Sequence, residues 1–206
     1  MLLDLHVHST FSPCSSIGLQ DILSQAQSKG LDGVCITDHD TMAARQWISE
    51  GIQANGLCII VGQEYSTRQG DFLLFGDYAE LRPGLSAFQV LSHVQTTGGV
   101  AVAAHPFRSH RLVDQAIIQS GLCNIIEQDN GRNTRIENSK TQTWLKRYPL
   151  IPVAGSDAHN LLELGRCPIQ FHFPIFNSFD LIQALKSGQD FSMPDRQREN
   201  NLDPAC

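Results

Sequence analysis

The sequence predicts an α/β fold built as a small barrel, with a metal site at the C-terminal mouth of its strands. Three observations lead there. Short continuous apolar runs alternate along the chain with segments of helical periodicity, the pattern of parallel strands covered by helices. Side chains able to bind metals recur at or near the ends of those runs: His6, His8, His39, Glu64, Asp71, His105, Glu127 and Asp157, all but Asp71 at the C-terminal end. In an open sheet the edge strands end too far apart to share one site, whereas a barrel gathers every strand end round a single mouth.

Residues 2–6 open the chain as a strand. Alternation with period two puts Asp4, His6 and His8 on one face and Leu5 and Val7 on the other. Two imidazoles on one polar face are costly to bury unless something satisfies them, and a shared cation would do so. After a loop over 9–17, the spacing of Leu19, Ile22, Leu23 and Ala26 predicts a helix over 19–29 that stops at Gly30. Residues 33–37 form the second strand and end in Asp38-His39-Asp40. A helix is expected over 41–55, with an Asn55-Gly56 stop, and then a buried strand over 57–61.

Gly70-Asp71 opens a strand over 72–75. A helix over 85–97 ends at Gly98-Gly99, and the strand 100–104 runs into His105-Pro106. Residues 112–119 read as helix and 122–126 as a strand ending at Glu127. The helix 134–147 carries Trp144 and Leu145 on its apolar side, and the strand 151–154 leads into Gly155-Ser156-Asp157-Ala158-His159. A short strand over 169–173 and a helix over 178–186 complete residues 1–191 as one domain. The tail 192–206 is polar, carries few groups able to pack, and is expected to be loose.

With 206 residues the chain can bury a substantial core. Its net charge of −6 and its lack of a long basic run argue against a nucleic-acid groove or an anionic membrane surface. No stretch is long and apolar enough to span a bilayer, and the start lacks the basic segment of a signal peptide. Six cysteines without a CxxC pair fit a reducing compartment, so the expected location is the cytoplasm.

His6, His8, His39, Glu64, His105, Asp157 and His159 are more ligands than one tetrahedral ion needs. Imidazole with carboxylate suits zinc, manganese or iron, and two or three ions bridged by a carboxylate such as Glu64 or Asp157 would use the set.

The motifs DLHVHS (4–9), GLDGVCITDHD (30–40), VGQE (61–64), AHPFR (104–108), IEQDNGRN (126–133) and AGSDAHNLLELGR (154–166) together resemble the PHP family, named for polymerase and histidinol phosphatase domains. The resemblance implies a distorted seven-stranded (β/α) barrel that holds up to three divalent metals and hydrolyses phosphate esters. Carried over by position, His6, His8, Glu64 and Asp157 resemble the ligands of one metal, Glu64 and His105 those of a second, and His39 and His159 those of a third. Asp4 and Asp38 look like groups that orient ligand imidazoles. Two places depart from the family pattern. The loop after HxH reads Ser12-Pro13-Cys14-Ser15, where only Cys14 offers a replacement ligand, and Asp71 stands near the place of a second-site histidine.

The implied reaction is in-line attack on phosphorus by a metal-activated hydroxide. Asp38, Asp157 and His159 are the catalytic candidates. Arg108 and Arg132, close after His105 and Glu127, are the candidates for binding a phosphate, which guanidinium matches bidentately. A small phosphorylated substrate is expected, with long nucleic acid the class least favoured by the charge. Two alternatives stay open: a metal-dependent hydrolase of another bond, amidohydrolase-like although no lysine ends a predicted strand, and a non-catalytic PHP module.

Overall fold

The computed structural model describes residues 1–193. In chain order its elements are β1 (Leu2–Val7), α1 (Leu19–Gln25), β2 (Gly33–Ile36), β3 (Gly51–Ile52), β4 (Cys58–Val61), β5 (Gln63–Thr67), β6 (Gly70–Phe75) and α2 (Ala87–Thr96). There follow β7 (Val100–Ala103), α3 (Gln115–Gln119), β8 (Ile125–Asn130), α4 (Arg135–Arg147), β9 (Ile151–Gly155), β10 (Ile169–Phe171), α5 (Ser178–Ser187) and β11 (Phe191–Ser192). The alternation of strands and helices is as expected, and the helices start where their caps allow. The Ser86 and Thr134 side chains accept from the backbone of Gln89 and Glu137, whose own side chains reach back to complete capping boxes on α2 and α4.

The strands do not close into one seven-stranded ring. Among the described residues they pair as two mixed sheets, in the orders β11-β10-β1-β2-β4-β3 and β5-β6-β7-β8-β9. The reason lies in how edges are shared. Leu2 and Leu3 of β1 pair with β10, so only the last residues of β1 are left for the segment after β9. There His8 N–H donates to the Ala158 carbonyl at 2.9 Å and Ala158 N–H to that of His6 at 3.2 Å. On the other side, Glu64 N–H donates to the Asp38 carbonyl at 3.0 Å and Asp40 N–H to that of Glu64 at 2.9 Å. These two short seams join the sheets, and both are made of candidate ligand segments.

Strand residues divide between two apolar clusters. One gathers Val34, Ile36, Ile59, Phe72, Leu74 and Ala103 with side chains from α1 to α4. The other takes the intervening positions of both sheets, among them Leu3, Leu5, Cys35, Ile60, Leu73 and Val102, together with Leu181 and Leu185 of α5. At about 1.5–3 kcal/mol for each large side chain removed from water, two such clusters supply most of the favourable term. Four cysteines, Cys14, Cys35, Cys58 and Cys123, are free thiols, and all but Cys14 are buried.

Three expectations are corrected. Val7 does not share a face with Leu5: the β1–β2 register shifts between Asp4 and Val7, and Val7 joins the opposite cluster. The helix expected over 41–55 is a short 3₁₀ turn, Ala43–Gln46, followed by β3. Arg45 ties this segment to the Val61 and Gly76 carbonyls and to Glu50 and Asp77, while Gly51 turns the chain at φ 106°. Glu64 does not end a strand but begins a new one, β5, which forms an antiparallel hairpin with β6. Of the expected tail, Ser192 pairs with Gln170 in β10, and residues 194–206 lie outside the described residues.

The turn from β4 into β5 needs glycine. A Cβ on Gly62 would lie 2.5 Å from the Leu74 carbonyl oxygen and 2.9 Å from the Phe75 ring. Gly62→Ala is expected to cost roughly 1–3 kcal/mol, as overpacking does. Urea denaturation followed by circular dichroism measures it, and an unchanged midpoint would show that the crossing relaxes freely.

Candidate metal centre

The reversed hairpin explains why Asp71 was the one candidate at an N-terminal strand end. Phe72 of β6 pairs antiparallel with Ala103 of β7, so the start of β6 lies beside the end of β7. Asp71 therefore reaches the same mouth as His105. Three groups of potential ligands form there: His6, His8, Glu64 and Asp157; Glu64, Asp71 and His105; and His8, His39 and His159. Every metal candidate read from the sequence belongs to at least one. Cys14, exposed on its loop, belongs to none.

Proton positions in the first group follow from its hydrogen bonds. His6 Nδ1 lies 2.8 Å from Glu127 Oε1, so the proton sits on Nδ1 and Nε2 presents a lone pair. His8 Nδ1 lies 3.1 Å from Ser12 Oγ, whose own proton goes to Asp38 Oδ1 at 2.6 Å. His8 Nδ1 must therefore donate, and its Nε2 is bare as well. The two Nε2 atoms are 3.0 Å apart. Each is 3.2 Å from Glu64 Oε2, and they lie 3.6 and 3.3 Å from Asp157 Oδ1. With both rings neutral, four acceptors face one another, and a cation or an added proton is what would satisfy them. Ligands around an ion at roughly 2.0–2.1 Å would be spaced about 3.3 Å apart, so the donor set fits a small divalent cation.

The electrostatics agree. Burial, the largest influence on His6, opposes its charged form, but the Glu127, Asp157 and Glu64 carboxylates outweigh it and push the imidazole pKa well up. Burial likewise opposes ionisation of Glu64 and Asp157, yet His6 holds both well below the carboxylate range. The pocket demands positive charge, which an extra proton on His6 or a metal ion can supply.

In the second group His105 Nε2 is 2.7 Å from Glu64 Oε1 and 4.0 Å from Asp71 Oδ2. Glu64 thus turns one oxygen to each group, the disposition of a bridging carboxylate. His105 Nδ1 is buried with no hydrogen-bond partner among the described residues. The third group depends on His8. A neutral imidazole with Nδ1 protonated has one lone pair and serves one ion, so the first group leaves only His39 and His159 to the third. Burial is the largest cause holding the His159 pKa down to about 4, followed by the charge of His8, so the ring is neutral at physiological pH. Its Nδ1 is 2.8 Å from the Asp157 carbonyl and 2.9 Å from Arg132. One of these partners only accepts and the other only donates, so Nδ1 bonds one at a time.

Backbone strain collects here. His105 and Asp157 adopt positive φ, 31° and 53°. Such conformations cost about 1–3 kcal/mol each and persist only where surroundings hold them. The Glu127 carboxylate helps, accepting His105 N–H at 2.7 Å while its other oxygen orients His6. Gly155 makes room for it, since a Cβ would sit 2.4 Å from Glu127 Oε1 and 2.5 Å from His6 Cβ.

The remaining candidates take supporting positions. Asp38 accepts from Ser9 N–H, Ser9 Oγ and Ser12 Oγ, acting on His8 through Ser12 rather than directly. Asp4 orients no imidazole: it accepts from the backbone of Ser156 and Gly165 and holds the loop after β9. Arg108 bonds Asp157 Oδ2, Asn130 Oδ1 and Asn133 Oδ1 at 2.7–3.0 Å, so its guanidinium is largely spent inside the protein. Arg132 is exposed beside His159. Glu127, Ser12 and Arg111 are supporting residues whose roles the sequence does not reveal. Glu127 was visible as a strand-end acid, whereas Ser12 and Arg111 carried no signal, because their partners lie 26 and 40 residues away.

The PHP domain family model matches residues 4–151, and the PHP-associated C-terminal model residues 135–189. An uncharacterized protein of Methanocaldococcus jannaschii is 27% identical over 179 residues, 83% of this chain and 70% of its own length. Among solved structures, PsfC of Pseudomonas syringae superposes with a TM-score of 0.72 at 21% identity, covering 88% of this chain and 87% of its own. A protein of Bifidobacterium adolescentis described as a putative metal-dependent phosphoesterase has a TM-score of 0.65 at 18% identity, covering 90% and 96%. The lesion-specific endonuclease Q of Pyrococcus furiosus has a TM-score of 0.67 at 17% identity, covering 93% of this chain but 57% of the endonuclease. These similarities show a shared fold.

Glu127→Gln, which removes the acceptor charge behind His6, is expected to weaken metal binding about 10–100-fold. Equilibrium dialysis against Mn²⁺ or Zn²⁺ reads it, with circular dichroism confirming the fold. Unchanged affinity would remove Glu127 from the centre.

Proposed function

We propose that this chain, which belongs to the PHP domain family, hydrolyses small phosphate monoesters at the mouth formed by His6, His8, Glu64, Asp71, His105 and Asp157. The class of metal-dependent phosphoesterase follows from the family. The observation that carries the finer reading is the set of four inward-facing acceptors, with Glu64 shared between two ligand groups. Two divalent ions are the loading this set supports best, with His6, His8, Glu64 and Asp157 holding one and Glu64, Asp71 and His105 the other. When bound, such ions supply Lewis acidity toward phosphoryl oxygens and make water a stronger nucleophile near neutral pH.

The chain's own residues do the rest. Glu127 and Ser12 fix the tautomers of His6 and His8, so both rings meet the reaction with lone pairs inward. Arg108 neutralises Asp157 Oδ2 and leaves Oδ1 toward the first group. His39, one-third exposed, and exposed Arg132 beside His159 mark the solvent side, where a phosphate dianion meets a guanidinium in reach of the buried ligands. His159, neutral at physiological pH, is able to take a proton there. The −6 charge weighs more against a long polyanion, which must lie along the surface, than against a small substrate, which meets only the mouth.

The test is metal content and turnover on the same preparation. Stoichiometric metal, hydrolysis of p-nitrophenyl phosphate and sugar or nucleotide monoesters, loss with chelator and recovery with Mn²⁺ or Zn²⁺ are expected. His8→Ala is expected to abolish turnover with the circular dichroism spectrum retained, and full turnover would overturn the site. Bound metal without phosphatase activity would favour hydrolysis of another bond. Absence of both metal and activity would favour a non-catalytic module, and faster cleavage of oligonucleotides than of monoesters a nuclease.

A further inference from the structure

Arg111 stands where a second cation would have to enter. Asp71, 4% exposed, is one of only three ligands in the second group. Both of its oxygens are engaged by that one guanidinium: Nε donates to Oδ2 at 2.7 Å and the terminal NH2 donates to Oδ1. Oδ2 is also the oxygen that lies 4.0 Å from His105 Nε2. Asp71 therefore already has a bidentate monovalent partner of the right charge sign, made from this chain. The first group differs. Its one arginine, Arg108, takes only Oδ2 of Asp157 and leaves Oδ1 facing the imidazoles. Arg108 and the first ion can share Asp157, but Arg111 and a second ion must contend for Asp71.

The guanidinium also has somewhere to go. Arg111 is 41% exposed and lines a cleft of about 630 Å³ with Arg68, Thr67, Gln69 and Ser86. Its position is otherwise set by turns of the loop after β7, with Arg111 N–H donating to the Arg108 carbonyl. A side chain on such a loop can rotate into a polar cleft without moving a strand.

We infer that Arg111 competes with the second metal ion for Asp71, so that loading the second group requires the Arg111 guanidinium to leave the carboxylate for the neighbouring cleft. This rests on the metal-centre reading above. It makes the two ions unequal: the first binds a ready-made set, and the second binds only as well as it displaces an internal ion pair.

Calorimetric titration of chelator-stripped protein with Mn²⁺ tests it without any assay of turnover. The wild type is expected to bind one ion tightly and a second more weakly. Arg111→Gln is expected to tighten the second ion about tenfold or more and leave the first within about twofold, since a charged competitor for Asp71 is removed. Arg111→Met, which keeps the aliphatic stem, serves as the second variant should the glutamine change disturb the loop. Arg68→Gln, which deletes an equal charge from the same cleft but touches none of the ligands, is expected to leave both affinities unchanged. A second ion that binds no tighter in either Arg111 variant, a gain equally produced by Arg68→Gln, or a single site in every variant would overturn the competition and leave the first group standing. A wild-type protein that binds no ion would overturn the centre and the competition together.

Discussion

One buried carboxylate carries the mouth of this fold. Glu64 Oε2 lies within 3.2 Å of His6, His8 and His39, and Oε1 lies 2.7 Å from His105. Those four imidazoles come from β1, from the loops after β1 and β2, and from the end of β7, so both sheets converge on a single side chain. Glu64 reaches that point only because the chain crosses between sheets at Gly62, where no side chain fits. A charge so deep is tolerable only with charged or strongly polar neighbours, and the surrounding histidines meet that condition with or without an ion.

Around this pivot the acids are provided for individually. Asp157 has Arg108, Asp71 has Arg111, and Glu127 is held by His6 Nδ1, the His105 backbone and Asn130. The overall charge of −6 therefore says little about the mouth itself, where these acids each have a partner of their own. Arginine here serves two ends that look alike in sequence. Arg108 is locked among asparagines and shapes a ligand, whereas Arg132 stands in solvent with its guanidinium only partly committed.

Much of the site was legible because ligand residues at parallel strand ends fall into a repeating pattern, and the motifs from DLHVHS to AGSDAH recur in order. What escaped was non-local or irregular. Strict alternation in β1 placed Val7 with Leu5, but a register shift no propensity announces puts them in opposite clusters. The ring expected from strand count is present only as two sheets joined by short bridges, because β10 and β3 take up edges along which ladders would otherwise run. Residues 41–55 have helical spacing, but the bonds that decide their shape run from Arg45 and Glu50 to β4 and the end of β6. Ser12, read as a departure from the family, proved to be the link between Asp38 and His8.

The seams give the ligands a second duty. His6 and His8 share backbone bonds with Ala158, and Glu64 shares them with Asp38 and Asp40, so the candidate ligands also stand where one sheet is joined to the other. The candidate site and the joint between the sheets therefore occupy the same few positions. These bonds belong to the backbone, so one side chain can change without opening the joint, whereas any slip of a seam displaces every candidate ligand carried on it.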